Sequence, residues 1–428
     1  MEMKAPRGVR DILPDESWKW AYILNALRAI MNDYGYSEVH LPIFEHTELF
    51  ARGVGDTTDI VEKEMYTFID RGGRSITLRP EATASMVRSC LEHNLCGGGA
   101  PLKVWTAGPM FRYERPQKGR FRQFWQIDAE CLGVASPNAD AEIIALSIEC
   151  FHRLGLRNLE VVINSVGCPA CRPAYREKLI KYFESNIAQL CEMCISRMER
   201  NPLRLLDCKN ESCGKITDNA PSSIDNLCDE CSSHFQSTIK LLESSNISYK
   251  VDKKLVRGLD YYTKTAYEIL SGELGAQNAV CGGGRYDNLA ETIGGPRLHG
   301  VGFAAGIERI ALVMEQQQCS FGKEPKPKVY VISFDKNDEE IQKTVYNLTM
   351  KLRKNYVAAE MDLLGRSPKA QLKSADSSGA RFACIIGPEE AKANKVSIKD
   401  LTTGKQELIN EDSIIEYLNS FDKENNCE

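Results

Sequence analysis

Nowhere does this chain run apolar for the ~20 residues a helix needs to cross a bilayer, so a membrane span is excluded. The first ten residues lack the apolar core of a signal peptide and lead directly into helix signals. The expectation is a cytoplasmic protein with no membrane partner. Histidine is scarce: six residues, at 40, 46, 93, 152, 234 and 299, form no constellation that would serve a nucleophile. Excess positive charge is lacking too, since the net charge is −5, which argues against a surface coated in phosphate-binding cations but leaves local basic stripes open. Repeats and low-complexity tracts are absent. So are the regular crossover helices of a doubly wound parallel sheet, which argues against a Rossmann-type core.

Cysteine, by contrast, is plentiful. Sixteen in a cytosolic chain should stay reduced, so clusters point to metal binding or packing rather than to disulfides. At 428 residues the chain should form two to four domains.

Trp20, Ile23, Leu24, Leu27, Ile30, Met31 and Tyr34 recur at helical spacing, with Pro14 suited to the start and Gly35 to the end. Ser37 to Phe44 reads as one strand whose Pro42 assigns it to an edge or a dimer contact. Strand-like runs follow at Met65 to Ile69, Ser75 to Leu78, Leu102 to Phe111 and Phe121 to Leu132, then a helix from about Ala139 to Leu154. Antiparallel sheet with flanking helices fits this order. From about Cys168 to Ser245 the composition turns helical, Cys-rich and Lys/Glu-rich, so this stretch reads as an insertion. Strand signals return at Lys250 to Leu255 and Tyr267 to Leu270. Ser320 to Lys328 has linker character, and beyond it strand and helix signals alternate as in a small α/β domain.

Two stretches carry chemistry. In Phe111-Arg112-Tyr113-Glu114 followed by Gly119-Arg120-Phe121-Arg122-Gln123-Phe124, an arginine on a strand can grip an α-phosphate bidentately while an aromatic ring stacks on adenine. In Gly300-Val301-Gly302-Phe303-Ala304-Ala305-Gly306-Ile307-Glu308-Arg309, a glycine-rich strand turns into a helix; small residues permit close ligand approach and Arg309 can reach a purine or distal phosphates. Each has an ordinary structural reading, a charged hairpin or a tightly packed strand. They reinforce one another only if both line one nucleotide pocket.

These stretches resemble motifs 2 and 3 of the class II aminoacyl-tRNA synthetases, with Pro42 fitting motif 1. Leu255-Val256-Arg257-Gly258-Leu259-Asp260-Tyr261-Tyr262-Thr263 and Cys281-Gly282-Gly283-Gly284-Arg285-Tyr286-Asp287 resemble the signatures of the histidyl enzymes, as do Arg7 to Pro14 and Leu78 to Thr83. The resemblance implies an α+β catalytic domain on an antiparallel sheet (1–166 and 247–322), a helical Cys-rich insertion (167–246) and a C-terminal α/β anticodon-binding domain (327–428). It implies activation of L-histidine with ATP and Mg²⁺, transfer to tRNA(His), and a homodimer. By the same comparison Arg112, Glu114, Arg120, Phe124 and Arg309 bind ATP, and Arg257 is a second cation at the α-phosphate. Glu81 and Thr83 hold the substrate amino group, with Gln126 nearby, and Glu130, Tyr261, Tyr262 and Tyr286 line the histidine site. The basic loop Arg115 to Arg120 reaches the tRNA acceptor end. A histidine-sensing regulatory relative of a phosphoribosyltransferase is the alternative; such relatives lose the C-terminal domain and the arginine motif, which this chain retains.

Four cysteine pairs stand in the insertion: Cys168 with Cys171, Cys191 with Cys194, Cys208 with Cys213, and Cys228 with Cys231. Three have the CxxC spacing that lets two thiolates grip one tetrahedral Zn²⁺ at about 2.3 Å. The reading is structural zinc in one or two four-thiolate sites, pairing open, against reduced thiols packed between helices. Zinc would support an insertion with little core of its own.

Overall fold

Apolar residues three and four apart fold as the helix Pro14–Asp33 in the computed structural model, which describes residues 3–55, 58–208, 210–275 and 278–425. Pro14 sits in the first turn, where no N–H is needed, and Gly35 follows the end in the left-handed region at φ 75°.

In chain order the described strands are β1 Ser37–Glu38, β2 Phe44–His46, β3 Tyr66–Ile69, β4 Ser75–Leu78, β5 Leu102–Phe111, β6 Gln123–Leu132, β7 Leu159–Ser165 and β8 Lys250–Val251. There follow β9 Thr263–Ser271, β10 Ala279–Arg285, β11 Gly300–Gly306, β12 Val329–Ser333, β13 Ala359–Met361, β14 Phe382–Ile386, β15 Lys395–Asp400 and β16 Gln406–Asn410. The large sheet runs β1-β5-β6-β11-β10-β9-β7-β8, antiparallel inside and parallel only at its two outermost pairings. A small sheet, β2-β4-β3, stands apart.

Strand periodicity gives the large sheet two unlike faces. Ile127, Ala129 and Cys131 of β6 join Val301, Phe303 and Ala305 of β11 in a core shared with the helices Pro14–Asp33, Pro137–Arg153 and Ile307–Gln316. Each fully buried aliphatic side chain there contributes about 1.5–3 kcal/mol. The alternate residues, Gln126, Asp128 and Glu130, occupy the opposite face.

Three sequence expectations are corrected. The run from Ser37 to Phe44 is two strands in different sheets: β1 pairs with β5, β2 pairs with β4, and Pro42, which has no N–H for a ladder, stands between them. The run from Lys250 to Leu255 is a strand only at Lys250–Val251, because Asp252 accepts from Lys254 N at 2.9 Å and starts a turn. The insertion is also richer in core than expected: Tyr175, Leu179, Phe183, Leu205 and Ile216 are buried together with Cys194 and Cys213.

The chain divides into two compact units, 1–322 and 323–428. In the second, β13, β12 and β14 are parallel while β15 and β16 complete the sheet antiparallel. Asp338 caps the helix Glu339–Lys354, accepting from Glu340 N and Ile341 N at 3.0 and 3.1 Å.

Candidate active site and cysteine centres

The polar face of the large sheet forms a trough because the strands on one side of β6, β11 and then β10, carry almost no side chains there. Gln126 pairs with Gly306, Asp128 with Ala304 and Glu130 with Gly302. The next strand continues the row with Gly282 opposite Ala304 and Gly284 opposite Gly302. A Cβ on Gly282 would overlap the Arg257 guanidinium, and one on Gly302 would overlap the Glu130 carboxylate. Both glycines are required by close approach.

Two cavities open from this trough. The larger, about 270 Å³, is lined by Arg112, Glu114, Arg120, Phe124, Gln126, Arg257, Glu268 and Arg309. Arg112 is aimed by its Nε donating to the Pro80 carbonyl at 2.9 Å, with its guanidinium 5.3 Å from the centre of the Phe124 ring. Arg120 pairs with Glu114 at 2.8 Å. Arg309 donates to the Ala279 carbonyl, and burial pulls its pKa down to about 10. Burial also opposes the charge of Arg257, but its ion pair with Glu268 outweighs that and keeps the guanidinium protonated.

The smaller cavity, about 140 Å³, shares Arg112, Gln126, Arg257, Gly282 and Ala304 with the first and adds Glu81, Thr83, Asp128, Tyr261, Tyr262 and Tyr286. Glu81 accepts from Thr83 N and Ala84 N at 2.8 and 3.0 Å, at the start of the helix Thr83–Glu92. Burial raises its pKa all the same. Tyr261 packs on Tyr262 and edge-on to Tyr286, with ring centres 4.7 and 5.7 Å apart. Glu130 stands one layer back: its oxygens accept from Thr83 Oγ1 at 2.7 Å and from the Tyr286 hydroxyl, so those two hydroxyls, not the carboxylate, meet the cavity.

Asp128 was not among the expected site residues. The signal was present, because Gln126, Asp128 and Glu130 alternate along one strand and must share a face. A second omission lies in the insertion. Arg204 donates to the Gly258 carbonyl, Arg172 to the Tyr262 carbonyl, and Asn201 Nδ2 to Asp260 at 2.9 Å. Nearby, Arg197 pairs with Asp59 at 2.7 Å. The loop carrying Arg257 is therefore held on the insertion side by groups whose role no local motif announces. Between them lies a third cavity of about 220 Å³, lined by Arg172, Arg176, Arg200, Arg204 and Arg257.

The eight cysteines sort into two groups: Cys168, Cys171, Cys228 and Cys231, then Cys191, Cys194, Cys208 and Cys213. Within each, the sulfurs lie within 4.8 Å of one another. The Cys168–Cys171, Cys168–Cys228 and Cys191–Cys208 Sγ distances of 3.7, 4.0 and 3.9 Å sit near the ~3.8 Å edge of a tetrahedron with 2.3 Å metal–sulfur bonds. Backbone N–H groups point at sulfur, Cys228 N at Cys171 and Cys191 N at Cys213, at 3.1 and 3.2 Å. Such donors stabilise thiolate, and the N–H of Cys194 leads in drawing the Cys191 pKa down to about 7. The first group joins the two ends of the insertion; the second lies inside it.

An antiparallel sheet with a trough bordered by Arg112 on the β5–β6 hairpin and Arg309 after β11 is the architecture of a class II aminoacyl-tRNA synthetase. Sequence profiles agree: one described as histidyl-tRNA synthetase matches residues 8–310, and one described as anticodon binding domain matches 328–421. The histidine-tRNA ligase of Pelotomaculum thermopropionicum is 51% identical over 413 residues, 96% of each chain. That of Acetivibrio thermocellus is 48% identical over 98% of this chain and 100% of its own. The apo histidyl-tRNA synthetase of S. aureus superposes with a TM-score of 0.83 at 39% identity, over 97% of this chain and all of the other. The chain belongs to the histidyl-tRNA synthetase family.

Proposed function

We propose that this protein activates L-histidine with ATP, forming histidyl-adenylate and pyrophosphate, and then transfers histidine to the 3′ end of tRNA(His). One observation carries this reading. Arg112 and Arg257 form the wall shared by a cavity sized for a nucleotide and one sized for an amino acid. A histidine carboxylate and an ATP α-phosphate would meet there between two guanidinium groups.

The carboxylate oxygen attacks the α-phosphorus, the bond to the bridging oxygen breaks, and pyrophosphate leaves with the electron pair. Arg112 and Arg257 neutralise charge gathering on the α-phosphate oxygens, and no protein nucleophile is needed. Phe124 stacks on adenine, while Arg120 and Arg309 hold the distal phosphates. Mg²⁺ fits beside Glu114, whose carboxylate faces the larger cavity, and when bound it would balance charge on the departing pyrophosphate. Glu81, Thr83 and Gln126 hold the amino end, and Tyr262 and Tyr286 address the imidazole, with Glu130 fixing the Tyr286 hydroxyl. In the second step a terminal ribose hydroxyl of the tRNA attacks the carbonyl carbon of the adenylate and AMP leaves. The loop Arg115–Arg120 guides the acceptor end, and the unit 323–428 binds the anticodon arm.

The thiol groups support Zn²⁺ in two four-thiolate sites; metal analysis of protein purified without added zinc should find about two equivalents per chain. A homodimer in the cytoplasm completes the reading. Phe44 and Ile69, 58% and 65% exposed on the small sheet, are apolar surface suited to a second copy, and sedimentation would test this. Arg257 and the C-terminal unit, both retained, weigh against the regulatory alternative. The deciding assay is amino-acid-dependent pyrophosphate exchange: histidine alone should support it, and exchange with a different amino acid would overturn the assignment.

A further inference from the structure

A buried carboxylate without a donor is costly, so native proteins fill its lone pairs with hydrogen bonds, a metal or a ligand. Asp128 is only 1% exposed, and neither of its oxygens has a hydrogen-bond partner among the described residues. Its neighbours explain this. On one side Ala304 lies opposite on β11 and Gly282 beyond that on β10, and neither has a side chain that could donate; on the other side Thr106 of β5 is its strand partner but makes no hydrogen bond to either oxygen. Two residues away on the same face, Gln126 Oε1 is also buried and unpartnered. Both residues line the smaller cavity. Acceptors are therefore gathered in a pocket that Arg257 also lines.

We infer that Asp128 binds the α-ammonium group of the amino-acid substrate, with the Gln126 side-chain carbonyl as its companion, and is a further substrate-binding residue of the ligase reaction. This rests on the ligase reading given above and deepens it.

Position along β6 supports the assignment. Alternate residues on a strand stand roughly 6–7 Å apart, so Phe124, Gln126, Asp128 and Glu130 form a ladder from the nucleotide end to the far end of the site. A histidine whose carboxylate lies between Arg112 and Arg257 and whose ring reaches Tyr286, in front of Glu130, presents its ammonium at the middle rungs. Glu81 faces the same region, and burial together with Glu81 pushes the Asp128 pKa up to about 8, as expected of an acid whose counter-ion is missing. Arg79 and Arg112 act on it only through space. An ammonium ion with three N–H donors would satisfy Asp128, Gln126 and Glu81 together.

The test uses full-length protein and the Asp128→Asn variant, which keeps the side chain's shape. Histidine and histidinol both carry the ammonium, whereas imidazolepropionate keeps the ring and the carboxylate but lacks it. The variant should bind histidine and histidinol at least about tenfold more weakly. Inhibition by imidazolepropionate should stay within about twofold of wild type, and the KM for ATP should not move, because neither depends on the ammonium contact. Unchanged histidine affinity would overturn the inference. Equal weakening of imidazolepropionate would also overturn it, by showing a packing role instead. Absence of any histidine-dependent exchange in the wild type would overturn the ligase reading and this inference together.

Discussion

The substrate trough and the cysteine insertion are both assembled from residues distant in sequence, but they hold their shapes by different means. In the trough, backbone pairing does the work. Asp128, Ala304, Gly282 and Glu268 form one row across four strands, so register alone sets which side chains face the ligand. The insertion has an apolar core of its own and two four-cysteine clusters that the proposed zinc would tie together. A sheet's register thus shapes its site directly, while the cysteine clusters would draw their stabilising effect from the proposed metal. The two regions meet at the loop from Arg257 to Tyr262, which carries the proposed catalytic cation and is held by Arg172 and Arg204.

The largest expected effect is on the cation at that meeting point. Arg257→Ala should lower histidine-dependent pyrophosphate exchange by about 10²–10³-fold, the loss typical of a removed electrostatic stabiliser. Thermal melting should show the protein still folded, and a variant with near wild-type exchange would break the picture of paired guanidinium groups. Next comes the metal. Chelation, or Cys213→Ser and Cys231→Ser separately, should remove about one or both zinc equivalents and reduce helical circular dichroism. Exchange should fall by about tenfold, because Arg172 and Arg204 would no longer hold the loop; metal loss with exchange intact would show that the insertion does not position Arg257.

A smaller effect tests the trough alone. Gly302→Ala should drive Glu130 from its place, destabilising the protein by about 1–3 kcal/mol and raising the KM for histidine while leaving that for ATP unchanged. Equal rises in both would argue against two functionally distinct cavities. The smallest effect concerns the unliganded protein. With its pKa raised to about 8, Asp128 holds a proton in the folded state that it lacks when unfolded, so it lowers stability increasingly from about pH 4 to pH 8, and by a constant amount above that. The gain in Tm from Asp128→Asn should therefore be greatest above pH 8 and fade toward pH 4; a gain independent of pH would contradict this ionisation.

Much of this was legible in the chain. The long first helix, the hairpin of β5 and β6 and the strand-to-helix turn after β11 announce themselves through spacing and punctuation, and the arginines they carry could be singled out. The break at Pro42 was harder, because a proline signals an interruption without saying that the pieces join different sheets. β7 passed unnoticed as a short apolar run, and β10 was hidden by its three glycines, which favour no strand by propensity and are there because Arg257, Tyr267 and Tyr262 crowd them. Asp128 was overlooked among better-marked neighbours, although alternation alone would have placed it.

By itself the sequence determined the kinds of groups available: arginines on rigid elements, a carboxylate-rich strand, and cysteines spaced to share a tetrahedral ion. Those are local properties, written in residue type and short-range spacing. Only the tertiary structure decided which cysteines stand together, that Glu130 accepts from Tyr286 and Thr83, and that Asp128 lines a cavity without a hydrogen-bond partner among the described residues. Each of these depends on the register between strands or the docking of helices separated by tens of residues, and no local preference encodes that.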